Sequence, residues 1–423
     1  MVNKTLKTLD RIRFDQFPAN VPPAVVLGLN PNALATIRSL GSKEIPVIGI
    51  DSNLKQMSAH SRYCSKVYCE DYTYGGEKLL ECLVALGKRL PVKGVVFPSG
   101  DLGLLTISEN REILSDYYRF MLPDKEVVRL IVNKRDFYRF AVQRGYSIPL
   151  TFIPEHPGEV EKIAGEISYP CIIKPYFPDE SWRRKFTIKL FEAYTPQSLV
   201  ETFSDLVKVH NDLIIQEIIP GEEQELVCSM AYLDENSEPL AMFTGRKLRQ
   251  SPPKWGSSSM MISEWMEEVA ELSESIFKEL RYKGYCSIEF KRDEGDGKLK
   301  IIEVTGRTWY PHGLTTYCGM NIPYLWYRHC LGEKVEKIDG FREGIKWIDE
   351  FEDLKSSYRY WRNGEITFSS WIRSYRGVKA FAFYHKDDKG PFLHFLLRVL
   401  SSPYRKSRNL LKSFLDSNGA SKM

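Results

Sequence analysis

The sequence contains no two cysteines separated by two residues. Its eight cysteines (Cys64, Cys69, Cys82, Cys171, Cys228, Cys286, Cys318 and Cys330) show no zinc-like spacing with its seven histidines. That pattern excludes the common zinc modules and thioredoxin-type redox chemistry, and it suits a thiol-reducing cytoplasm. Cys171 in YPCIIKP and Cys286 in YCSIEF fall in strand-like runs, where a thiol behaves as a small core hydrophobe. Charge of one sign is also lacking: 59 basic against 55 acidic residues leave a net charge of only +4, with no nucleic-acid footprint. Small anions are the expected partners. No apolar run follows the basic start MVNKTLKTLDRIRF, so it does not read as a secretory signal, and no stretch approaches bilayer-spanning length. Internal repeats and low-complexity tracts are absent as well. What is present, 43% hydrophobic and 27% charged residues in a chain of 423, suffices for two or three packed domains.

Residues 23 to 51 read as strand, helix, strand: the apolar run Ala24 to Leu29, a helix over Asn32 to Leu40 stopped by Gly41, then Pro46 to Ile50 ending in Asp51. A further apolar strand, Gly94 to Pro98, leads into Ser99, Gly100 and Asp101, where an open parallel sheet presents ligand-contacting residues. The first domain is therefore α/β. GLNPNA lacks the second and third glycines of a dinucleotide fingerprint, which argues against NAD. Asp51 is expected to cap a loop rather than hold a substrate.

Beyond residue 123, Asn133 reads as the N-cap of a helix from Lys134 to Arg144, with Asp136 in the first turn and Gly145 at the end. Short strands then alternate with helices over 196 to 208 and 264 to 281, an α+β pattern. SPPKWGSSS, Ser251 to Ser259, has the composition of a mobile connection and is expected to act as a lid. The basic, leucine-rich end PFLHFLLRVLSSPYRKSRNLLKSFL suits an amphipathic helix. Packing on the protein itself is favoured over contact with an anionic membrane surface.

The most informative stretch, GYCSIEFKRDEGDGKLKIIEVTGR, reads as a hairpin from Gly284 to Arg307. If its centre falls near Asp296, Glu289 and Glu303 stand directly opposite each other, about 5 Å apart on one face. Such a pair repels unless a cation lies between, and magnesium, which takes one or two carboxylates and completes its shell with water and phosphates, is the natural occupant. Alternation adds Thr305 and Arg307 to the same face. The bland alternative is a solvated face of weak ion pairs. The apolar positions Cys286, Ile288, Phe290, Ile302 and Val304 argue instead for a sheet with a packed back. Lys174, presented at a strand tip before Pro175, and Lys134, at the start of its helix, both suit phosphate. In LIIQEIIPGEEQELV a strand through Ile215 leads to Gln216 and Glu217, a turn at Pro220 and Gly221, and a second strand carrying Glu225. That arrangement can expose backbone to an adenine edge and a carboxylate to ribose.

In this order, the lysine helix, the YPCIIKP strand, the QExxPG connection and the twin-glutamate hairpin resemble the ATP-grasp superfamily over residues 23 to 330. The carbamoyl-phosphate-synthase-like carboxylate-amine ligases, including D-aspartate ligase-like proteins, resemble it most. The resemblance implies α/β and α+β domains in an ATP-grasp architecture. A Rossmann-like pre-ATP-grasp domain would occupy 1–124 and the ATP-grasp domain 125–332, with a lid over 150–220 and a catalytic sheet over 221–332. An extension with a basic amphipathic tail would occupy 333–423. It further implies that Lys134 and Lys174 hold nucleotide phosphates, that Gln216, Glu217, Ile218 and Ile219 line the adenine, and that Glu225 receives the ribose, with Glu223 as its competitor. Glu289, Glu303 and Thr305 match the magnesium ligands, while Lys247, Arg249 and Arg307 would neutralise phosphate or substrate carboxylate. The chain departs from the family pattern at Thr305, which stands where asparagine is usual, and in the loop after Lys174. That loop lacks phosphate-covering glycines and offers Arg183, Arg184 and Lys185 instead.

The implied reaction consumes ATP with Mg2+. A small-molecule, peptide or cell-envelope-precursor carboxylate becomes an acyl phosphate, which an amine then captures, releasing ADP and phosphate. Specificity is expected in the first domain, the loop Ser251 to Ser259, and residues after Arg307 such as Tyr310 and His312. The rival readings are a ligase with a thiol acceptor and a catalytically weak nucleotide sensor. A homodimer is compatible with the sequence.

Overall fold

Apolar runs without polar alternation become strands buried on both faces, and they build the first sheet of this computed structural model. The structure describes residues 2–401 apart from 71, 73–75, 179–181, 183–184 and 187. Arg183, Arg184 and the tail from 402 onward lie outside those residues. The first sheet comprises β1 (Ala24–Leu27), β2 (Val47–Asp51), β3 (Cys64–Tyr68), β4 (Gly94–Pro98) and β5 (Tyr118–Arg119). They run parallel in the order β3-β2-β1-β4-β5. The order reverses between β1 and β4, so their C-terminal loops open a crevice of the kind that binds ligands in such sheets. Asp51 does serve as a loop cap: its buried carboxylate accepts from the backbone N–H of Leu29 at 2.7 Å and of Asn53 at 2.8 Å. Gly28 turns the chain there with φ +101°, and a Cβ would stand 2.4 Å from both Ser99 Oγ and Tyr72 Oη. Gly28→Ala is therefore expected to cost on the order of 2 kcal/mol, read as a lowered urea midpoint. The control Gly297→Ala, at a turn with nothing nearby, should cost less.

A second, four-stranded antiparallel sheet follows, ordered β6-β9-β7-β8, from β6 (Thr151–Phe152), β7 (Cys171–Pro175), β8 (Phe191–Ala193) and β9 (Leu213–Glu217). The helices Val160–Glu166 and Pro196–Val207 supply much of its core. Thr195 and Ser198 form a reciprocal capping box that starts the second of them. The helix expected to span 264–281 is Glu267–Glu279.

The third sheet has seven strands: β10 (Leu226–Leu233), β11 (Pro239–Ser251), β12 (Ser257–Ser263), β13 (Gly284–Arg292), β14 (Leu299–Thr305), β15 (Lys346–Ile348) and β16 (Lys379–Phe381). Their order is β14-β13-β10-β11-β12-β15-β16. Its last two strands come from beyond residue 332, so the chain's C-terminal part extends this sheet without a break. The two ends of SPPKWGSSS are likewise sheet: β11 continues to Ser251 and β12 starts at Ser257, leaving a turn over residues 252–256. Gly256 packs so closely that a Cβ would lie 2.0 Å from the Ser251 carbonyl oxygen. A tight turn between long strands draws on the same Pro, Gly and Ser that mark a mobile loop. The third sheet docks on the first through aromatic contacts. Phe97 of β4 meets Trp326 at 4.7 Å between ring centroids, and Trp326 stacks on Tyr285 of β13 at 6.0 Å. No helix among the described residues is long and apolar enough to cross a membrane.

Candidate functional site

The twin-glutamate hairpin forms the floor of a cavity of about 1050 Å3 between the second and third sheets, with Asp101 beyond β4 at its edge. Glu289 and Glu303 are direct cross-strand partners, but the register reaches that pairing by an unexpected route. From the turn inward the pairs are Arg292 with Leu299, Lys291 with Lys300, and Phe290 with Ile301, a register that would set Glu289 against Ile302. A bulge at Ile302 shifts the ladder by one residue and brings the carboxylates together. The Ile302 carbonyl accepts from Tyr138 Oη at 2.8 Å, and Ile302 itself lines the cavity.

Each carboxylate faces a lysine delivered by another element. Lys247 of β11 stands 2.6 Å from Glu289, and Lys134 stands 2.7 Å from Glu303. Lys134 is placed by its helix start, where the Asn133 side chain accepts from the backbone N–H of Arg135 and Asp136, as a capping residue should. Arg307, just past β14, donates to Asp101 at 3.2 Å and so links the hairpin to the crevice of the first sheet. Burial alone would push the Glu303 carboxyl up, but Lys134 and Arg307 reverse this and hold it well below the usual carboxylate range. The same pairing holds Lys134 charged against the opposing effect of burial.

Lys174, at the end of β7, donates to Gln216 Oε1 at 2.8 Å, and Gln216 Nε2 donates to Thr151 Oγ1 at 2.7 Å. The connection after β9 is shaped by lysines from the hairpin. Lys291 donates to the carbonyls of Ile219 and Gly221 at 2.8 and 2.7 Å, and Lys300 to Glu217 at 2.9 Å. Gln216, Glu217, Ile218 and Ile219 all line the cavity.

Two expected residues, Glu225 and Thr305, stand outside the cavity lining, and a third, Arg249, lines the cavity while engaged in its wall. Residues 223–225 form a three-ten turn in place of the start of a strand, and a turn of three residues rotates the two glutamates apart. Glu223 lines the cavity, its carboxylate accepting from the backbone N–H groups of Gln250 and Lys254, whereas Glu225 is not part of the lining. Arg249 is committed to a buried pair, donating through Nε and Nη2 to the two oxygens of Asp353 at 2.8 Å each. A register shift in β11 between Lys247 and Arg249 breaks the alternation that would have turned both cations to one partner. Thr305 is buried opposite Ser287 and outside the cavity lining, its hydroxyl without a partner among the described residues. Tyr310 and His312 serve the packing: Tyr310 donates to Asp349, and His312 sits 3.0 Å from Thr36 Oγ1. Burial lowers the His312 pKa to about 4.

The structure also brings in residues that sequence reasoning passed over. Lys189 lines the cavity, feels the charges of Glu303, Lys247, Glu289 and Arg307, and lies 3.4 Å from Ser257 Oγ. Trp255 donates to Glu192 of β8, so the four-stranded sheet is tied to the β11–β12 turn over the cavity. Trp309 presents its ring 5.5 Å from the Lys247 ammonium. No local pattern distinguishes Lys189 or Trp309 from ordinary surface residues.

A magnesium ion fits the donor set. Among the described residues no cluster of three or more His, Cys, Asp or Glu forms a self-sufficient metal cage. Two opposed carboxylates ringed by cations match an ion that completes its shell with water and substrate phosphates.

No family model matches the chain. D-aspartate ligase of Enterococcus faecium is 22% identical over 245 residues, 54% of this chain and 57% of that protein. The chain thus spans little more than half of that relative, and between 25% and 31% of the other curated relatives it matches. The biotin carboxylase domain of Hydrogenobacter thermophilus 2-oxoglutarate carboxylase, solved with MgADP and bicarbonate, superposes with a TM-score of 0.58 at 17% identity, over 75% of this chain and 73% of that one. L-amino acid ligase of Bacillus licheniformis superposes with a TM-score of 0.56 at 16% identity, over 74% of each chain. The fold is the ATP-grasp fold.

Proposed function

We propose that this protein is a magnesium-assisted, ATP-dependent ligase that joins a carboxylate to an amine through an acyl phosphate. The observation that carries the proposal is the bulge-aligned Glu289–Glu303 pair, faced by Lys134 and Lys247, in a cavity that also presents Lys174, Lys189 and Arg307. Glu289 and Glu303 would hold Mg2+, which when bound neutralises the charge of the transferring phosphoryl group. Gln216 to Ile219 offer the backbone edge that receives adenine, and Glu223 receives the ribose. Lys134 and Lys174 hold the phosphates, while Arg307, backed by Asp101, orients the substrate carboxylate towards the γ-phosphorus.

A carboxylate oxygen attacks that phosphorus in line and ADP departs. The amine then adds to the acyl carbon, loses its proton, and phosphate leaves as the amide forms. The bonds from Trp255 to Glu192 and from Lys189 to Ser257 close the small sheet over the cavity, which protects the acyl phosphate from water. Small-molecule carboxylates are the simplest substrates for this cavity, with peptide or cell-envelope-precursor carboxylates as an extension of the same chemistry.

The test is phosphate release from ATP and Mg2+ across a matrix of paired carboxylates and amines. The expected result is release that requires both members of one pair. Release with a thiol in place of every amine, or no turnover despite tight nucleotide binding, would replace this reading with one of its rivals.

A further inference from the structure

The helix Glu350–Arg362 is fastened to β11 by its polar side. Asp353 is gripped by Arg249, Glu352 accepts from Ser251 Oγ at 2.8 Å, and the Ser356 hydroxyl donates to the Gln250 carbonyl. Asp353, Ser356 and Ser357 are buried, whereas Leu354 is 57% exposed and Trp361 43%. A surface helix normally turns its apolar stripe to the core and its polar stripe to water. Here the arrangement is reversed. Leu354, Tyr358 and Trp361 follow one another at helical spacing along the outer side. The stripe continues onto the next helix, Phe368–Ser374, where the Phe368 ring lies 6.2 Å from that of Trp361. Phe368 and Ile372, one turn apart, are 57% and 54% exposed. A contiguous apolar face turned to water marks an interaction site. It adjoins the cavity, which Tyr360, Glu365 and Ile366 help to line.

The charges around this face select the partner. Arg359, Arg362, Arg373 and Arg376 are all exposed on these helices or just beyond them, and Glu365 is the one acid between Leu354 and Arg376. Two copies meeting through the same face would set arginines against arginines, and like charges brought together at an interface are costly. A bilayer that contains acidic lipids is apolar within and anionic at its surface, so it satisfies both the stripe and its cations. The end helix Gly390–Ser401 packs beside this region, with Phe395 stacked on Phe351 at 3.4 Å. The chain that continues from it, residues 402–423, holds five lysines and arginines against one aspartate.

We propose that the outer face of the helices Glu350–Arg362 and Phe368–Ser374 docks on an anionic lipid bilayer. Leu354, Trp361, Phe368 and Ile372 enter the acyl boundary and the four arginines meet the headgroup phosphates. The test is co-sedimentation of the full chain with vesicles of phosphatidylcholine alone and with about one third phosphatidylglycerol. At about 0.1 M salt the acidic vesicles should bind about tenfold more protein, and the difference should shrink at about 1 M salt, where the charges are screened. Phe368→Gln combined with Ile372→Gln should lower binding about tenfold, and Arg373→Glu combined with Arg376→Glu should remove the preference for acidic lipid. All four side chains are exposed, so thermal unfolding of both variants should match the wild type. Should the first variant fail to fold, the arginine variant decides alone. A wild type that ignores acidic vesicles overturns the proposal, as does binding that survives either double substitution in a folded variant. A lipid-free wild type that is dimeric where Phe368→Gln with Ile372→Gln is monomeric also overturns it and assigns the face to a second copy of the chain.

Discussion

Replacing Glu303 with glutamine is expected to lower turnover by about a thousandfold while leaving the fold in place. The substitution keeps shape and polarity and removes one charge at the centre of the site. Glu303 is ionised because Lys134 and Arg307 outweigh the burial that opposes its charge. A neutral amide there leaves Lys134 without its partner at 2.7 Å and leaves Glu289 as the single carboxylate on the hairpin face. Metal-centred charge stabilisation contributes several kcal/mol to such transfers, and a loss of about 4 kcal/mol corresponds to that thousandfold. Stability should change little, because the Glu303 side chain is 36% exposed and its lysine 27% exposed, so solvent screens much of their attraction. Steady-state phosphate release and circular dichroism on one preparation separate the two effects. Full activity in Glu303→Gln would remove the hairpin from the metal site. Raised Mg2+ that restores part of the rate would place the loss in metal affinity.

How much of this site could be read from sequence depends on how far each residue's partner lies along the chain. The hairpin was legible because alternating apolar residues marked both strands and the turn residues between them were explicit. Even so, the symmetric centre that placed Glu289 against Glu303 is absent. The outer pairs obey a register that sets Glu289 against Ile302, and only the bulge restores the pairing. The Asn133 cap and the Asp51 loop cap were legible for a similar reason, since both act within a few residues or at a recognisable strand end. Glu223 and Glu225 were not separable, because the choice turns on whether three residues form a strand or a three-ten turn. The short edge strands β15 and β16 carry too few residues for periodicity to register. They are specified by the sheet they join, and with them the approach of Tyr360 to the cavity stayed out of reach.

Arg249 shows the same limit and yields the second large expected effect. From sequence it stands two residues from Lys247 in GRKLRQ and reads as another cation for phosphate. In the structure its forked bonds to Asp353 are buried, with 9% of the arginine side chain and none of the aspartate exposed. Its remaining donor Nη1 reaches Ser374 at 2.9 Å. A guanidinium held by these bonds keeps at most one Nη1 N–H for phosphate, and its partner lies 104 residues away, where local pattern cannot reveal it. Arg249→Met should therefore destabilise the protein by about 3–5 kcal/mol, because it strands the Asp353 charge in the interior. The lower end is expected, since Tyr375 Oη at 2.6 Å and Ser259 Oγ at 3.1 Å still donate to that carboxylate. Removing both charges in Arg249→Met with Asp353→Leu should recover much of the loss, as apolar replacements of buried pairs commonly do. Urea unfolding of the two variants reads the stability, and the KM for ATP of the double variant reads the function. An unchanged KM with restored stability assigns Arg249 to anchoring the C-terminal helix. A KM raised tenfold in a stable double variant would return Arg249 to the phosphates, and the pair with Asp353 would then describe only the nucleotide-free protein.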